Sequence, residues 1–220
     1  MTKQILCITY RGWALKIYQM LNDALPHYDF HIVPNKESYS EEMIHRIKPN
    51  IILWYGWSWI LPPHIVKEYD CVALHPSPLP KYRGGSPLQN QIINGETISA
   101  ITLFKMREGL DDGDIIKQLP LSLQGNIDDI FNRMTELGFA ATCDFLEHGY
   151  NLTPQDASVA TYCQRRHPSE SEITIDDLQN ESNIYLHNKI RMLTNPYPNA
   201  FIRDKDGQKL YLTSTYINGN

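Results

Sequence analysis

The stretch Cys71 to Glu96, "CVALHPSPLPKYRGGSPLQNQIINGE", decides how this chain is read. It opens on a short apolar run, Cys71 to Leu74, which ends at His75 and passes at once into Pro76, Pro78 and Pro80. Each proline fixes its own φ, removes an amide donor and biases the preceding residue toward extended backbone, so the loop after His75 is stiff. The loop runs into a helix signature. Ser86 is placed as an N-cap, Pro87 at the first helical position, Gln89 at the third and Gly95 at the C-terminal end.

Upstream, "KQILCITY", "YDFHIVP" and "NIILWYGW" read as strands, separated by the amphipathic "GWALKIYQML" and by a helix opened by Ser38 with Glu41 three residues on, the spacing of a capping box. That alternation predicts a parallel sheet with crossover helices. His75 then falls at the carboxyl end of a parallel strand, where open α/β sheets place their ligands.

Downstream, "ISAITLFKM" and "IIKQLPLSL" read as strands around the acidic loop "REGLDDGD", and a long helix follows an Asn126 cap. From about Tyr150 the texture turns polar, and a helix around "NIYLHNKIRML" and a hairpin at Asp206-Gly207 close the chain. The expected organisation is a main domain over 1–150 and a C-terminal extension over 151–220.

With 220 residues the chain can bury one good-sized core. A formal net charge of −5 argues against a surface built to coat phosphate backbones and favours a small-molecule partner over nucleic acid. The four cysteines form no CxxC pair, the N-terminus lacks signal-peptide regions, and no apolar run reaches membrane-spanning length, so a reduced cytoplasmic setting is expected, with no membrane partner and no metal site.

Several residues invite chemistry. A lone histidine is as readily a hydrogen-bonded structural residue, but His75 leaves a stiff loop with a defined direction, and Asp111, Asp112 and Asp114 lie in a loop expected at the same sheet edge. Those aspartates could equally be turn or cap residues. Arg11 follows the first strand in a turn without G-x-G-x-x-G, so a dinucleotide fingerprint is absent. Lys81, Tyr82 and Arg83 place two cations beside Gly84 and a helix start, a combination that binds anions or simply solvates a helix end. "WYGWSWILPP" reads either as core or as an aromatic wall for a flat ligand.

Taken in order, "LHPSPLPKYRGGSPLQNQIINGE" and "ITLFKMREGLDDGDII" resemble the signature of the folate-dependent formyltransferases, which act on methionyl-tRNA, glycinamide ribonucleotide or nucleotide-linked amino sugars. The resemblance covers roughly Ile51 to Ile202, with "YGWSWILP" similar to the pterin-holding loop and "NKIRMLTNPYPNAF" to the start of the C-terminal region. It implies a Rossmann-like α/β formyltransferase fold with a trimmed N-terminal parallel sheet and a small C-terminal helix plus β-hairpin. It implies 10-formyltetrahydrofolate as co-substrate, and it implies His75 and Asp111, 36 positions apart, as the catalytic pair. Trp57, Ser58, Trp59, Ile60, Leu61, Met106 and Glu108 fall at the cofactor-binding positions, and Arg11, Lys81, Tyr82 and Arg83 are the candidates for substrate contact.

One position departs from the pattern. The family's asparagine two residues before the histidine is Ala73 here, so one oxyanion donor is missing. The short N-terminal half and the small C-terminal segment resemble the nucleotide-sugar branch, of which the pseudaminic-acid pathway enzyme is a member. A UDP- or dTDP-linked amino sugar is the acceptor this implies, for surface glycan synthesis, with a homodimer through the C-terminal hairpin. Two other readings stay open: a hydrolase that releases formate from the same folate, and a non-catalytic relative that only binds folate or nucleotide.

Overall fold

Alternation of strand and helix builds the first half as expected. In the computed structural model, which describes residues 2–218, the order is β1 (Lys3–Ile8), α1 (Gly12–Ala24), β2 (Tyr28–Val33), α2 (Glu41–Ile47), β3 (Ile51–Tyr55), α3 (Pro63–Glu68) and β4 (Cys71–His75). β1 pairs in parallel with both β2 and β3, and β3 with β4. After β5 (Arg83–Gly84) and α4 (Pro87–Ile93), β6 (Ile98–Lys105) joins β4 antiparallel, and β7 (Ile115–Ser122) joins β6 antiparallel. The sheet is therefore mixed, in the order β2-β1-β3-β4-β6-β7. It has the Rossmann-like parallel half that the sequence implies, completed by an antiparallel pair.

Strand side chains alternate between faces, and each face has its own apolar cover. On one, Ile5, Leu53, Val72, Leu74, Ile101 and Leu103 pack with Ile17 and Leu21 of α1 and with Ile130 and Met134 of α5 (Ile127–His148). On the other, Leu6, Ile8, Ile52, Trp54 and Cys71 meet Ile44 of α2 and Ile65 of α3. Gly138 lets α5 lie flat. A Cβ there would sit 2.6 Å from Ile17 Cδ1 and 2.9 Å from Leu74 Cδ1, directly beneath the strand that carries His75.

Three helix starts separate expectation from outcome. The α5 cap is as read: Asn126 Oδ1 accepts from the Asp129 amide at 3.0 Å, and an Asp129 carboxylate oxygen accepts from the Asn126 amide at 2.9 Å. At α2 the predicted Ser38/Glu41 capping box does not form, since the helix starts at Glu41 after Ser40 and the Ser38 amide donates to Asn35 Oδ1 at 2.9 Å. At α4, Ser86 precedes the helix in the left-handed region (φ 49°) and makes no side-chain cap. Its Oγ instead accepts from the Arg166 amide at 3.1 Å. That bond draws a distant segment onto the loop.

The same drawing-in governs the C-terminal third. β8 (Tyr162–Cys163) pairs in parallel with β5, then α6 (Ile175–Asn180), α7 (Asn183–Arg191) and the hairpin of β9 (Ala200–Arg203) and β10 (Lys209–Leu212) follow. Gly207 takes φ +81° in the hairpin turn, as Asp206-Gly207 predicts. Ile173, Ile190, Met192, Leu193 and Ala200 enter the same buried cluster as α1 and α5. Arg191 donates from Nη1 to the carbonyls of Leu123 and Gly125, each at 2.7 Å. No helix among the described residues is long and apolar enough to cross a membrane.

Candidate active site

His75 ends β4, pairs with Thr102 across β6, and is buried. The proline loop beyond it is rigid because its carbonyls have fixed partners. Gln91 Nε2 donates to Pro76 O at 2.8 Å, Thr102 Oγ1 to Ser77 O at 2.7 Å, and Gln118 Nε2 to Leu79 O at 3.1 Å. The loop then turns at Tyr82, in the left-handed region (φ 58°), so that the Tyr82 carbonyl points back at the histidine. His75 Nε2 lies 2.8 Å from it. A carbonyl can only accept, so Nε2 carries the hydrogen and Nδ1 is left with its lone pair in the neutral ring.

Nδ1 faces Asp111 Oδ2 at 3.6 Å. That separation is longer than a direct hydrogen bond, and the carboxylate meets an opposite charge across it only when the ring is protonated. Asp111 is itself held. Its Oδ2 accepts from the Gly84 amide at 2.8 Å, and its backbone takes φ +50°, unusual for a residue with a side chain. Gly84 (φ +101°) has no room for a side chain, since a Cβ would sit 2.5 Å from the Cys163 carbonyl. Gly113 is as constrained, with a Cβ position 1.6 Å from the Lys105 carbonyl. The chain thus brings two residues 36 positions apart together at the carboxyl end of β4.

The implied folate loop follows β3. Trp57, Ser58 and Leu61 are half-buried, Trp59 is 39% exposed and Ile60 is 99% exposed. Trp57 and Trp59 lie 4.6 Å apart by ring centroid, Tyr10 stands edge-on to Trp59 at 4.8 Å, and Lys36 Nζ sits 4.6 Å from the Trp59 ring. Tyr10 OH and Ser58 Oγ are hydrogen-bonded. Met106 packs beside Trp54 and Cys71 and also beside Ala73. An exposed aromatic face with apolar flanks fits a flat heterocycle. Glu108 pairs with Lys67 at 2.7 Å.

The substrate candidates separate. Lys81 is exposed, and Tyr82 OH donates to Glu96 Oε1 at 2.9 Å. Arg11 lies with its guanidinium 4.5 Å from the Tyr10 ring and 5.4 Å from that of Tyr197. Arg83 does not face solvent as the sequence suggests. It is 4% exposed, with Nε and Nη2 donating to Gln155 Oε1 at 3.1 and 2.7 Å and Nη1 to Tyr162 OH at 3.2 Å. The pairing of β5 with β8 buries it.

Ala73 is buried against Leu79 and Phe104. The position that would carry an oxyanion donor is filled by apolar contact. Sequence reasoning did not single out Gln155 or Cys163. The Cys163 thiol donates to the carbonyls of Tyr82 and Arg83 at 3.6 and 3.4 Å, and burial, together with the nearby Asp111 carboxylate, pushes it up to about 11 against a hydrogen bond with Asn90. It is a neutral donor at physiological pH. Among the described residues no group of three or more His, Cys, Asp or Glu gathers as a metal site.

Comparisons with known proteins give the chain a family. A formyl transferase family model matches residues 20–142. The methionyl-tRNA formyltransferase of Sulfurimonas denitrificans is 34% identical over 172 residues, 76% of this chain and 54% of that protein. This chain thus spans about half the length of the curated relatives it matches. A solved structure of a methionyl-tRNA formyltransferase from Clostridium thermocellum superposes with a TM-score of 0.84 at 32% identity, covering 95% of this chain and 96% of that one. A 4-N formyltransferase from Francisella tularensis shares the fold, with a TM-score of 0.77 at 19% identity over 99% of both chains. More than half of the chain falls within the family model, and the matched span carries the His75 and Asp111 pair; the chain belongs to the formyl transferase family.

Proposed function

We propose that this protein transfers the formyl group of 10-formyltetrahydrofolate, the formyl donor its family uses, to a primary amine. The observation that carries this reading is His75 Nδ1, with no other partner among the described residues, 3.6 Å from Asp111 Oδ2 at the carboxyl end of β4. The amine nitrogen attacks the formyl carbon, a C–N bond forms, and the carbonyl electrons move onto oxygen. His75 Nδ1 takes the amine proton, and Asp111 stabilises the imidazolium so formed. Collapse breaks the bond to the folate nitrogen, which recovers the proton from Nδ1, giving a formamide and tetrahydrofolate. With alanine at 73, the developing oxyanion lacks the family's amide donor.

For the acceptor we infer a nucleotide-linked amino sugar, since the net charge of −5 weighs against a surface built for a phosphate backbone. From residue 160 onward seven Lys or Arg balance seven Asp or Glu, which offers little grip on a phosphate backbone. Arg11, Lys81 and Tyr82 are the proposed contacts to the nucleotide-sugar, and Trp57 to Leu61 with Met106 and Glu108 the proposed surroundings of the pterin. Two observations favour a second acceptor, methionyl-tRNA: the 34% identity to proteins that carry that name, and the TM-score of 0.84 at 32% identity to a solved structure that carries it.

Purified protein incubated with 10-formyltetrahydrofolate and either UDP- and dTDP-linked amino sugars or charged methionyl-tRNA decides between them. A sugar product heavier by one formyl group is the expected result. Formylated methionyl-tRNA alone transfers the reading to the second acceptor, formate release without any acceptor makes the protein a hydrolase, and inertness toward all of them defeats the transferase reading. His75→Asn is expected to lower kcat by about 10² to 10⁴-fold without unfolding, and unchanged turnover in that variant removes the histidine from the mechanism.

A further inference from the structure

The Asp111 loop is held by a residue outside the matched family span. Gln155 lies in the polar segment after α5, and its side-chain amide is fully used. Nε2 donates to the carbonyl of Asp111 at 2.9 Å and to that of Gly113 at 2.6 Å, while Oε1 accepts from Arg83 Nε and Nη2. Both donors and both lone pairs have partners, so the amide has one orientation. Arg83 is buried, makes no ion pair among the described residues, and its charge polarises the amide it grips, which strengthens the two bonds on the far side.

The network joins the two halves of the proposed catalytic pair. Arg83 directly follows Tyr82, whose carbonyl orients His75, and directly precedes Gly84, whose amide holds Asp111 Oδ2. Gln155 grips the same arginine and, through its other end, the backbone on which Asp111 adopts φ +50°. A side chain in that backbone region stays there only when its surroundings over-determine it.

We propose that Gln155, gripped by Arg83, is a positioning residue that sets the Asp111 carboxylate against His75 Nδ1. The proposal rests on the assignment of His75 and Asp111 to formyl transfer. Without the amide's two donors the Asp111 loop relaxes, the carboxylate leaves the histidine, and the imidazolium loses its counter-charge while folate and acceptor surfaces stay intact.

Two variants of the full chain test this. Gln155→Met keeps the volume and removes every hydrogen bond. Gln155→Glu keeps an oxygen for Arg83 to grip and replaces the donors to Asp111 O and Gly113 O with an acceptor. Turnover of 10-formyltetrahydrofolate with the acceptor identified above is expected to show kcat lowered by about 10 to 100-fold in both variants, with KM for the folate changed by less than about threefold. The ring nitrogen signals of His75 in 15N-histidine-labelled protein, assigned through His75→Asn, are expected to move in both.

A Gln155→Glu variant with near-normal kcat overturns the proposal, because anchoring Arg83 would then be all that Gln155 does. So does a loss of kcat in which the His75 ring signals stay where they are. If Gln155→Met fails to fold, Gln155→Glu alone decides. If the wild-type protein formylates no amine, the functional reading falls, and the ring signals still judge the clamp: unmoved in the folded variant, they overturn it.

Discussion

Ala73 and His75 share one face of β4, two residues apart, and the character of the site turns on what the first of them touches. Ala73 is 8% exposed against Leu79 and Phe104, with Met106 and Ile115 behind them. Restoring asparagine there adds volume and an amide to a filled apolar niche. Ala73→Asn is therefore expected to destabilise the fold by about 1–3 kcal/mol, a fall in Tm of about 2–10 °C by calorimetry. A variant as stable as the parent would show that the niche holds room and a partner for the amide. That His75 and Asp111 come together was legible because the motifs around them are distinctive in type and spacing. Arg83 was not, since in sequence it is simply a cation beside two glycines. Its burial comes from β5 and β8, two residues each, too short to leave any periodic trace. Gln155 left no signal either: a glutamine in a polar stretch looks the same whether it is solvated or gripping two carbonyls.

Elements with strong local chemistry were read well and those fixed by tertiary contact were not. α5 carries an apolar stripe and a capping box whose bonds the structure shows at 2.9 and 3.0 Å, so Asn126→Ala is expected to cost about 1 kcal/mol. In a chain of this size that lowers Tm by about 2–4 °C, measurable by circular dichroism. An unchanged melting curve would mean the first turn of α5 is held by its packing alone. At α2 and α4 the serines that read as caps at Ser38 and Ser86 answer other partners. The Ser38 amide meets Asn35 and the Ser86 hydroxyl meets the Arg166 amide. Serine offers one hydroxyl to whichever donor arrives, and an 80-residue separation is invisible to a local pattern. α3 was missed because six residues beginning at a proline carry no helical period.

At the scale of the whole molecule, four thiols sit in surroundings that favour their neutral form. Burial raises Cys7 well above its ordinary value, pushes Cys71 up to about 11, and raises Cys143; Cys163 also lies at about 11. Each is protonated in the fold up to a higher pH than in the unfolded chain, whose thiols ionise near 9.0. Their contribution to stability is full below about pH 9 and is lost as pH rises toward 11, because only the unfolded state gains by ionising there. The urea midpoint is expected to be level from about pH 7 to 8.5 and then to fall, less steeply in Cys71→Ala. A midpoint that holds steady to pH 11 would mean that these thiols ionise freely in the fold.

The parallel pairing of β5 with β8 also bears on how such chains can recombine. The first 150 residues contain His75, Asp111 and the whole six-stranded sheet, so they look like a unit that could be joined to a different C-terminal half. They are not self-sufficient. Cut there, Arg83 keeps its place beside the Tyr82 turn with neither the amide nor the hydroxyl it was donating to, and the Gly84 strand loses its neighbour. A chimera assembled at that seam inherits His75 and Asp111 but not the contacts around Arg83 unless the incoming half brings a glutamine in register with 155 and a strand in register with 162–163. The stretch from 155 to 163 must therefore travel with the turn it holds.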